Sequence, residues 1–220
     1  MALVEFVSPL HNRTARDYIG RVTAHDKAAC ATIAKQWGRD YWDGAREHGY
    51  GGYSYDGSWL SVAEAMAAHY NLKAGDRILD VGCGKAYLLY EFTRVVPGIE
   101  VVGLDISEYG LNDAREEVQP FLHHGHAREL PFDDNQFDFV FSLATLHNLA
   151  IDDLFRAVRE IQRVGRKNKY IMVESYRNER EKANLLYWQL TCESFFAPQG
   201  WDWIYQQCGY DGDQEFIYFE

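Results

Sequence analysis

The sequence contains no long hydrophobic run. A membrane-spanning helix needs about 20 consecutive apolar residues, and no stretch of the 220 residues approaches that length. The first residues, MALVEFVSPL, also lack the basic region and long apolar run of a secretory signal. We therefore expect no membrane partner and no export.

Cysteine is scarce, and its placement argues against two common uses. The four cysteines are far apart and form no CxxC pair; they are Cys30, Cys83, Cys192 and Cys208. Such spacing favours neither a zinc site nor a disulfide framework. The pattern predicts a cytoplasmic protein that binds no metal.

The chain also has fewer basic residues than acidic residues. Lys and Arg number 22 against 33 Asp and Glu, which leaves a net charge of −11. A chain this acidic would be repelled by a nucleic acid backbone and by anionic lipid. The 47% of hydrophobic and 25% of charged residues are otherwise typical of a globular domain. The composition predicts one soluble domain, monomeric or homodimeric, that acts on a small molecule.

Short apolar runs alternate with helical stretches through the middle of the chain. The predicted strands are Ile78–Val81, Val101–Asp105, Phe121–His124, Phe137–Ser142 and Lys169–Ser175. The predicted helices between them are Tyr87–Val95, a second through Leu111 to Val118, and Asp152–Val164. Such alternation favours a parallel sheet with helices on both faces. We therefore expect an α/β fold, a three-layer sandwich with a Rossmann-like, mostly parallel sheet.

The two ends of the chain depart from this regularity. Residues 1–71 are predicted to form a helical cap or lid on the core, with a helix capped by Ser58 or Ser61. Residues 72–220 are predicted to form the cofactor-binding domain, in one structural domain overall. In its last part we expect two inserted helices, Glu179–Phe195 and Gln199–Gln207, followed by an edge strand, Glu215–Glu220.

The strongest chemical signal is the turn after the first predicted strand. Gly82 and Gly84 allow a tight turn and a close approach of the backbone to a ligand. Asp105 ends the second strand, where an acidic side chain can accept hydrogen bonds from the hydroxyls of a ribose. Open parallel sheets bind ligands beyond the carboxyl ends of their strands, where both features lie. Together they predict a site for a nucleoside cofactor.

Two residues indicate which nucleoside cofactor fits. A dinucleotide fold requires a third glycine where this chain has Tyr87, so that a pyrophosphate can reach the helix amino terminus. Asp80 lies two positions before the first glycine, where a carboxylate can meet a cationic ligand. The ammonium group of a methionine moiety suits that carboxylate better than a diphosphate does. The sequence therefore favours S-adenosylmethionine over NAD.

The sequence resembles the class I S-adenosylmethionine-dependent methyltransferases, in particular the group that includes the ubiquinone and menaquinone methyltransferases. The resemblance covers about Leu72 to Glu174. It rests on the segments Leu79–Gly84, Val102–Ser107 and Ala127–Phe132, the last followed by Phe137 and Asp138.

The resemblance implies roles for individual residues. The methionine end of the cofactor would contact Asp80, Gly82, Cys83 and Gly84. The ribose and adenine would contact Asp105 and Ile106, and the edge of the adenine would contact His126 and Ala127. Ser142 would face the methionine or the acceptor. The chain departs from the family at Ala86, where a third glycine is usual, and at His126, where an acidic residue is usual. Of the usual antiparallel closing hairpin, the sequence shows one strand only.

The residues that handle the acceptor carry weaker signals. His147 follows the fourth strand and is the best-placed general base, although a structural loop histidine would give the same pattern. Glu174 and Tyr176 end the fifth strand at the same edge of the sheet. Arg177 and Arg180 could receive a phosphate or carboxylate of the acceptor, or could simply begin a solvated helix.

Aromatic residues alternate with glycine in the segment YGGYSYDGSW, which begins at residue 50. Tyr50, Tyr53, Tyr55 and Trp59 can fold over the site, exclude water and face a sulfonium cation. They can equally pack the amino-terminal cap against the sheet. We favour the lid.

The sequence thus predicts methyl transfer from S-adenosylmethionine, with S-adenosylhomocysteine as product, to a small polar acceptor. O-methylation of a sugar-like or phosphorylated compound is favoured, and no nucleic acid partner is expected. Two alternatives remain. The chain could be a subunit that binds the cofactor without turnover and supports a partner chain, or an NAD-dependent oxidoreductase.

Overall fold

A computed structural model describes all 220 residues of the chain. Six strands form one sheet in the order β3-β2-β1-β4-β5-β6, and every neighbouring pair is parallel. The strands are β1 (Arg77–Val81), β2 (Glu100–Asp105), β3 (Leu122–His124), β4 (Phe137–Leu143), β5 (Gly165–Glu174) and β6 (Asp213–Ile217). The predicted α/β architecture is confirmed, and the sheet is parallel throughout.

Ten α-helices surround or cap this sheet. They are α1 (Ser8–His11), α2 (Tyr18–Thr23), α3 (Lys27–Ala34), α4 (Arg39–Trp42), α5 (Leu60–His69), α6 (Tyr87–Val95), α7 (Glu108–Asn112), α8 (Ile151–Val164), α9 (Glu179–Trp188) and α10 (Pro198–Cys208). None of them combines the length and hydropathy that a bilayer crossing requires.

The core lies on both faces of the sheet, because successive strand residues point to opposite sides. Ile78 and Phe139 belong to the cluster that packs against α5 and α6. Their neighbours Leu79 and Val140 belong to the cluster that packs against α8 and α10. Both faces are buried, which explains why these strands are continuous apolar runs in the sequence.

Three predicted helix features differ from the structure. The helix after β2 ends at Asn112 instead of Val118, and the following Asp113 pairs with Lys85 at 2.8 Å. The aromatic helix ends at Trp188 instead of Phe195, because the amides of Glu193 and Ser194 donate to the carbonyl of His147. Tertiary hydrogen bonds thus replace the last helical turns.

The third difference is the start of α5. Neither Ser58 nor Ser61 caps this helix; its N-cap residue is Trp59, whose side chain makes no capping hydrogen bond. The backbone amide of Ser58 instead donates to the carboxylate of Asp56 at 2.9 Å. The serine is therefore part of a turn that precedes the helix.

The last strand closes the sheet in an unexpected direction. β6 begins at Asp213, two positions earlier than predicted, and ends at Ile217. It runs parallel to β5. The antiparallel hairpin that is usual in the resembled family does not occur among these residues. Beyond β6, Leu3 forms a single parallel bridge with Gln214, so the amino terminus extends the same edge.

A buried carboxylate anchors the amino terminus to this edge. Glu215 is inaccessible to solvent, and it accepts hydrogen bonds from the backbone amides of Phe6 (2.7 Å), Val7 (3.0 Å) and Ser8 (2.5 Å). The hydroxyl of Tyr170 on β5 also donates to it, at 2.5 Å. One side chain of β6 therefore fixes the first turn of α1 against the sheet.

We expect Glu215→Ala to lower the free energy of unfolding by about 3–5 kcal/mol, because several buried donors lose their acceptor together. Urea denaturation measures the change, and limited proteolysis should show faster cleavage near residue 10. Glu5→Ala removes an exposed carboxylate nearby and should change stability by less than about 0.5 kcal/mol. Equal effects of the two substitutions would contradict the anchoring role.

Candidate functional site

The glycine loop after β1 and the turn after β2 are joined by one carboxylate. Asp105 accepts hydrogen bonds from the backbone amide of Gly84 and from that of Ser107, both at 2.7 Å. Gly82 and Gly84 have φ values of +89° and +54°, in the left-handed region that favours glycine. Both loops are therefore held at the carboxyl edge of the sheet, as the sequence predicts.

Asp80 carries a buried carboxylate without a full set of partners. The residue is 4% exposed, and its Oδ1 atom makes no hydrogen bond. Burial, with a contribution from the charge of Asp105, raises the pKa of Asp80 well above its ordinary value. An unpaired buried carboxylate is costly unless a cation meets it. This observation fits the ammonium group of a bound methionine moiety.

Two cavities open at this edge and share the glycine loop. The smaller, of ≈ 190 Å³, has as its wall Asp105, Ile106, His126, Ala127 and Leu149 with Trp37 of the cap. The larger, of ≈ 520 Å³, has in its wall Asp80, Gly82, Cys83, Gly84 and Glu174 with Tyr53 and Trp59 of the cap. Tyr41, Trp42 and Tyr50 contribute to both walls. The residues predicted for adenine thus line one cavity, and those predicted for methionine line the other.

The cap touches the glycine loop through Trp42. Its indole Nε1 donates to the hydroxyl of Ser107 at 2.8 Å, and a Cβ on Gly84 would lie 2.6 Å from the indole ring. Tyr50 stacks on the same indole, with ring centroids 5.3 Å apart. Gly84 is therefore required by the packing of the cap as well as by its positive φ.

A buried lysine links the same two parts. The Nζ of Lys85, 2% exposed, lies 2.7 Å from the carboxylate of Asp43 and 2.8 Å from that of Asp113. It also donates to the carbonyl of Tyr53 at 2.7 Å. Sequence reasoning missed both Lys85 and Trp42. For Lys85 the sequence does contain a signal, because a charged residue within the glycine turn has little room for a solvated side chain.

His147 and Glu174 form a buried pair beside the larger cavity. The backbone amide of Glu174 donates to Nδ1 of His147 at 3.3 Å, and Nε2 lies 3.4 Å from Oε2 of Glu174. Burial lowers the pKa of His147 to about 3 and raises that of Glu174 to about 8. The imidazole is therefore neutral. Glu174 lines the cavity, whereas His147 lines neither cavity.

The remaining predicted residues lie outside both cavities. Ser142 is buried and donates to the carbonyl of Val81 at 2.7 Å, and Tyr55 donates to Glu91 at 2.6 Å. Arg177 pairs with Glu181 and Glu220, while Arg180 is exposed. Tyr176 packs near Lys182, whose Nζ lies 5.2 Å from its ring centroid. The cations that do face the larger cavity come from the cap, and they are Arg16, Arg21 and Arg46.

Asp80→Asn and Asp138→Asn should change stability in opposite directions. The raised pKa of Asp80 costs stability as the pH rises above its ordinary value, so the amide should raise the free energy of unfolding at pH 7 by about 1 kcal/mol or more. Asp138 lies at the start of β4, at the edge of the sheet opposite Asp80. It accepts hydrogen bonds from Arg166, Lys167 and the backbone amide of Arg77, which lower its pKa. Its replacement should cost about 1–3 kcal/mol, an effect that fades below pH 4.

Urea denaturation between pH 3 and pH 8 measures both effects. Because both variants replace a carboxylate by an amide, the measurement compares the unpaired Asp80 at one edge of the sheet with the paired Asp138 at the other. A loss of stability at pH 7 in both variants would contradict the unpaired state of Asp80.

Comparisons with known proteins match the part of the chain that contains the glycine loop and Asp105. Residues 79–173 match a family model described as a methyltransferase domain. The demethylmenaquinone methyltransferase of Symbiobacterium thermophilum is 37% identical over 116 residues, which cover 49% of this chain and 45% of that protein. The match thus spans less than half of this curated relative's length.

Solved structures share the fold. The YcgJ protein from Bacillus subtilis matches with a TM-score of 0.55 and 21% identity over 66% of each chain. A SAM-dependent methyltransferase from Aquifex aeolicus gives a TM-score of 0.50 and 23% identity, covering 71% of this chain and 89% of the other. The glycine loop, Asp80 and Asp105 lie at the edge of a Rossmann-like sheet, and the residues that contain them, 79–173, match the methyltransferase domain family.

Proposed function

We propose that the protein transfers a methyl group from S-adenosylmethionine to a hydroxyl of a small polar acceptor. The observation that carries the proposal is the unpaired buried carboxylate of Asp80, which lines a cavity beside the glycine loop. When bound, the cofactor supplies an electrophilic methyl group on a sulfonium sulfur. Asp80 and the glycine loop would hold its methionine end, and Asp105, Ile106, His126 and Ala127 its adenosine end.

The strand order alone does not choose between this cofactor and NAD. The order 3-2-1-4-5-6 with parallel strands is also that of dinucleotide-binding folds. The start of α6 favours S-adenosylmethionine, because Tyr87 fills the place of the third glycine and its hydroxyl donates to the carbonyl of Tyr53 at 3.2 Å. A pyrophosphate there would meet a buried aromatic ring and, beyond the loop, the carboxylate of Asp80.

The larger cavity supports a small acceptor enclosed by a lid. Its ≈ 520 Å³ is within the usual range for small-molecule sites. We assign the lid to residues 1–71, since Tyr50, Tyr53 and Trp59 form part of the wall and the buried Lys85 holds Asp43 down on the glycine loop. A closed lid excludes water, which would otherwise compete with the acceptor for the methyl group.

Glu174 is the better-placed general base of the buried pair. Its carboxyl lines the cavity, and with a pKa of about 8 it can take the proton that an acceptor hydroxyl loses as its oxygen forms the new bond to carbon. His147 stands behind it as a neutral positioning residue. Gln189 donates to the other oxygen of Glu174, which fixes the direction of the carboxyl.

Calorimetric titration with S-adenosylmethionine and S-adenosylhomocysteine tests the cofactor assignment. We expect micromolar binding of both to the unaltered protein, and at least tenfold weaker S-adenosylmethionine binding to Asp80→Asn, because a charged hydrogen-bond partner becomes neutral. Asp138→Asn, measured where it remains folded, is the matched control and should bind normally. No binding of either ligand to the unaltered protein would overturn the proposal, and NADH would be titrated next.

The base is tested by the pH dependence of methylation, measured as release of S-adenosylhomocysteine with an acceptor found by screening. The rate should rise with pH and level off above about pH 8, as the carboxyl of Glu174 loses its proton. Glu174→Gln should lower turnover by at least about 100-fold and leave cofactor affinity unchanged. Glu193→Gln, on an exposed glutamate of the same region, should keep the rate. An unaltered pH profile in Glu174→Gln would argue against this base.

A further inference from the structure

Three arginines of the cap gather around one indole ring. The guanidinium carbons of Arg16, Arg21 and Arg46 lie 5.6, 5.4 and 5.3 Å from the ring centroid of Trp188. The arginines come from the segment before α2, from α2 itself, and from the turn after α4, while Trp188 ends α9. All four side chains line the larger cavity. Three positive charges therefore face the space that also contains Asp80.

None of these arginines is paired with a carboxylate. No Asp or Glu oxygen lies within 4.0 Å of their guanidinium nitrogens, although the chain contains 33 Asp and Glu. The Nε of Arg16 is buried without a hydrogen-bond partner. Burial is the largest cause that lowers the pKa of Arg16 and of Arg21, and the charge of Arg46 adds to it, while Glu174 opposes the shift at Arg16 and Glu47 opposes it at Arg21. The cluster is thus electropositive and has no direct ion-pair partner.

The protein holds the cluster in place despite this repulsion. The Nε of Arg21 donates to the carbonyl of Trp188 at 3.3 Å, and its NH1 group donates to the carbonyl of Arg46 at 2.8 Å. Arg16 donates to the carbonyl of Thr14 at 3.0 Å. Stacking on the indole adds an attraction for each cation. Guanidinium groups held in this way are preorganised for the paired oxygens of a carboxylate or phosphate.

The acidic groups that share the cavity do not neutralise the cluster. Glu174, whose pKa is about 8, is protonated at neutral pH. Asp56 accepts the amide of Ser58, and Asp80 lies at the glycine loop. His11 is neutral at pH 7, because burial and the charge of Arg16 lower its pKa to about 4. The free positive charge is therefore at the Trp188 end.

We propose that Arg16, Arg21 and Arg46 form, with Trp188, a subsite that binds an anionic group of the acceptor, either a carboxylate or a phosphate. The assignment rests on the proposed methyltransferase function and narrows its substrate class. The acceptor is a small molecule with an acid group that meets the cluster and a hydroxyl that reaches Glu174. An uncharged acceptor would leave the three guanidinium groups of the cavity without an anionic partner.

The test uses the full chain saturated with S-adenosylhomocysteine, titrated by calorimetry with phenyl phosphate and, separately, with benzoate. We expect binding of at least one probe, weakened by added salt because the attraction is ionic. Arg46→Glu and Arg21→Gln should each weaken that binding at least tenfold, whereas Arg46→Lys should retain part of it. Arg13→Gln, on an exposed arginine outside the cavity, is the matched control and should bind normally.

The possible results distinguish failure of the proposed subsite from failure of the proposed methyltransferase function. Preference for phenyl phosphate or for benzoate identifies the acid group and supports the subsite. Normal binding of S-adenosylhomocysteine with no binding of either probe overturns the subsite alone, as does equal probe binding by Arg46→Glu and the unaltered protein. Failure of S-adenosylhomocysteine to bind would instead overturn the proposed function. Thermal unfolding of each variant identifies any substitution that prevents folding, and if Arg21→Gln does so, Arg46→Glu decides the test.

Discussion

The site depends on the carboxylate of Asp105, which joins the two loops that any nucleoside ligand must contact. Because it accepts the amides of both Gly84 and Ser107, the glycine loop and the turn after β2 keep one relative position. The hydroxyl of Ser107 in turn accepts the indole N–H of Trp42, so the cap rests on the same constraint. The bonded residues belong to the cavity walls, since Asp105 lines the smaller cavity, Gly84 the larger, and Trp42 both. The carboxylate that we propose for ribose binding thus also organises the protein without a ligand.

The cap is held at two places by buried charges, and this explains how residues that precede the parallel sheet come to line the cavity. Glu215 fixes the first turn of α1 at the far edge of the sheet, and Lys85 fixes Asp43 at the glycine loop. The chain between these anchors includes Arg16 and Arg21. In the proposed function, the sheet would hold the cofactor and the residues before it would recognise the acceptor. The family match begins at residue 79 and leaves the cap outside it.

The strands and the glycine turn could be predicted because they depend on local pattern. Strands buried on both faces are apolar throughout, and a turn that needs positive φ selects glycine, as at Gly82. The end of α9 could not be predicted, since it is set by amides that bond to His147, far away in the sequence. The arginine cluster was missed for a related reason. Its members come from three separate segments and meet Trp188 through tertiary packing, of which the contact of α2 with α9 is one part, and no spacing in the sequence reports those contacts.

The larger cavity is polarised, and this arrangement can orient an acceptor. The unpaired carboxyl group of Asp80 lies at the glycine loop, and the positive cluster lies around Trp188. Each is unpaired in the protein alone, so each lowers stability until a ligand of opposite charge is present. A cationic cofactor and an anionic acceptor would each satisfy one end, and each would be disfavoured at the other. In the proposed function, an acceptor held in this way would have one favourable direction, with its reactive group between the two ends, at Glu174. The unpaired groups would thus supply the selectivity of a site whose proposed chemistry depends mainly on position.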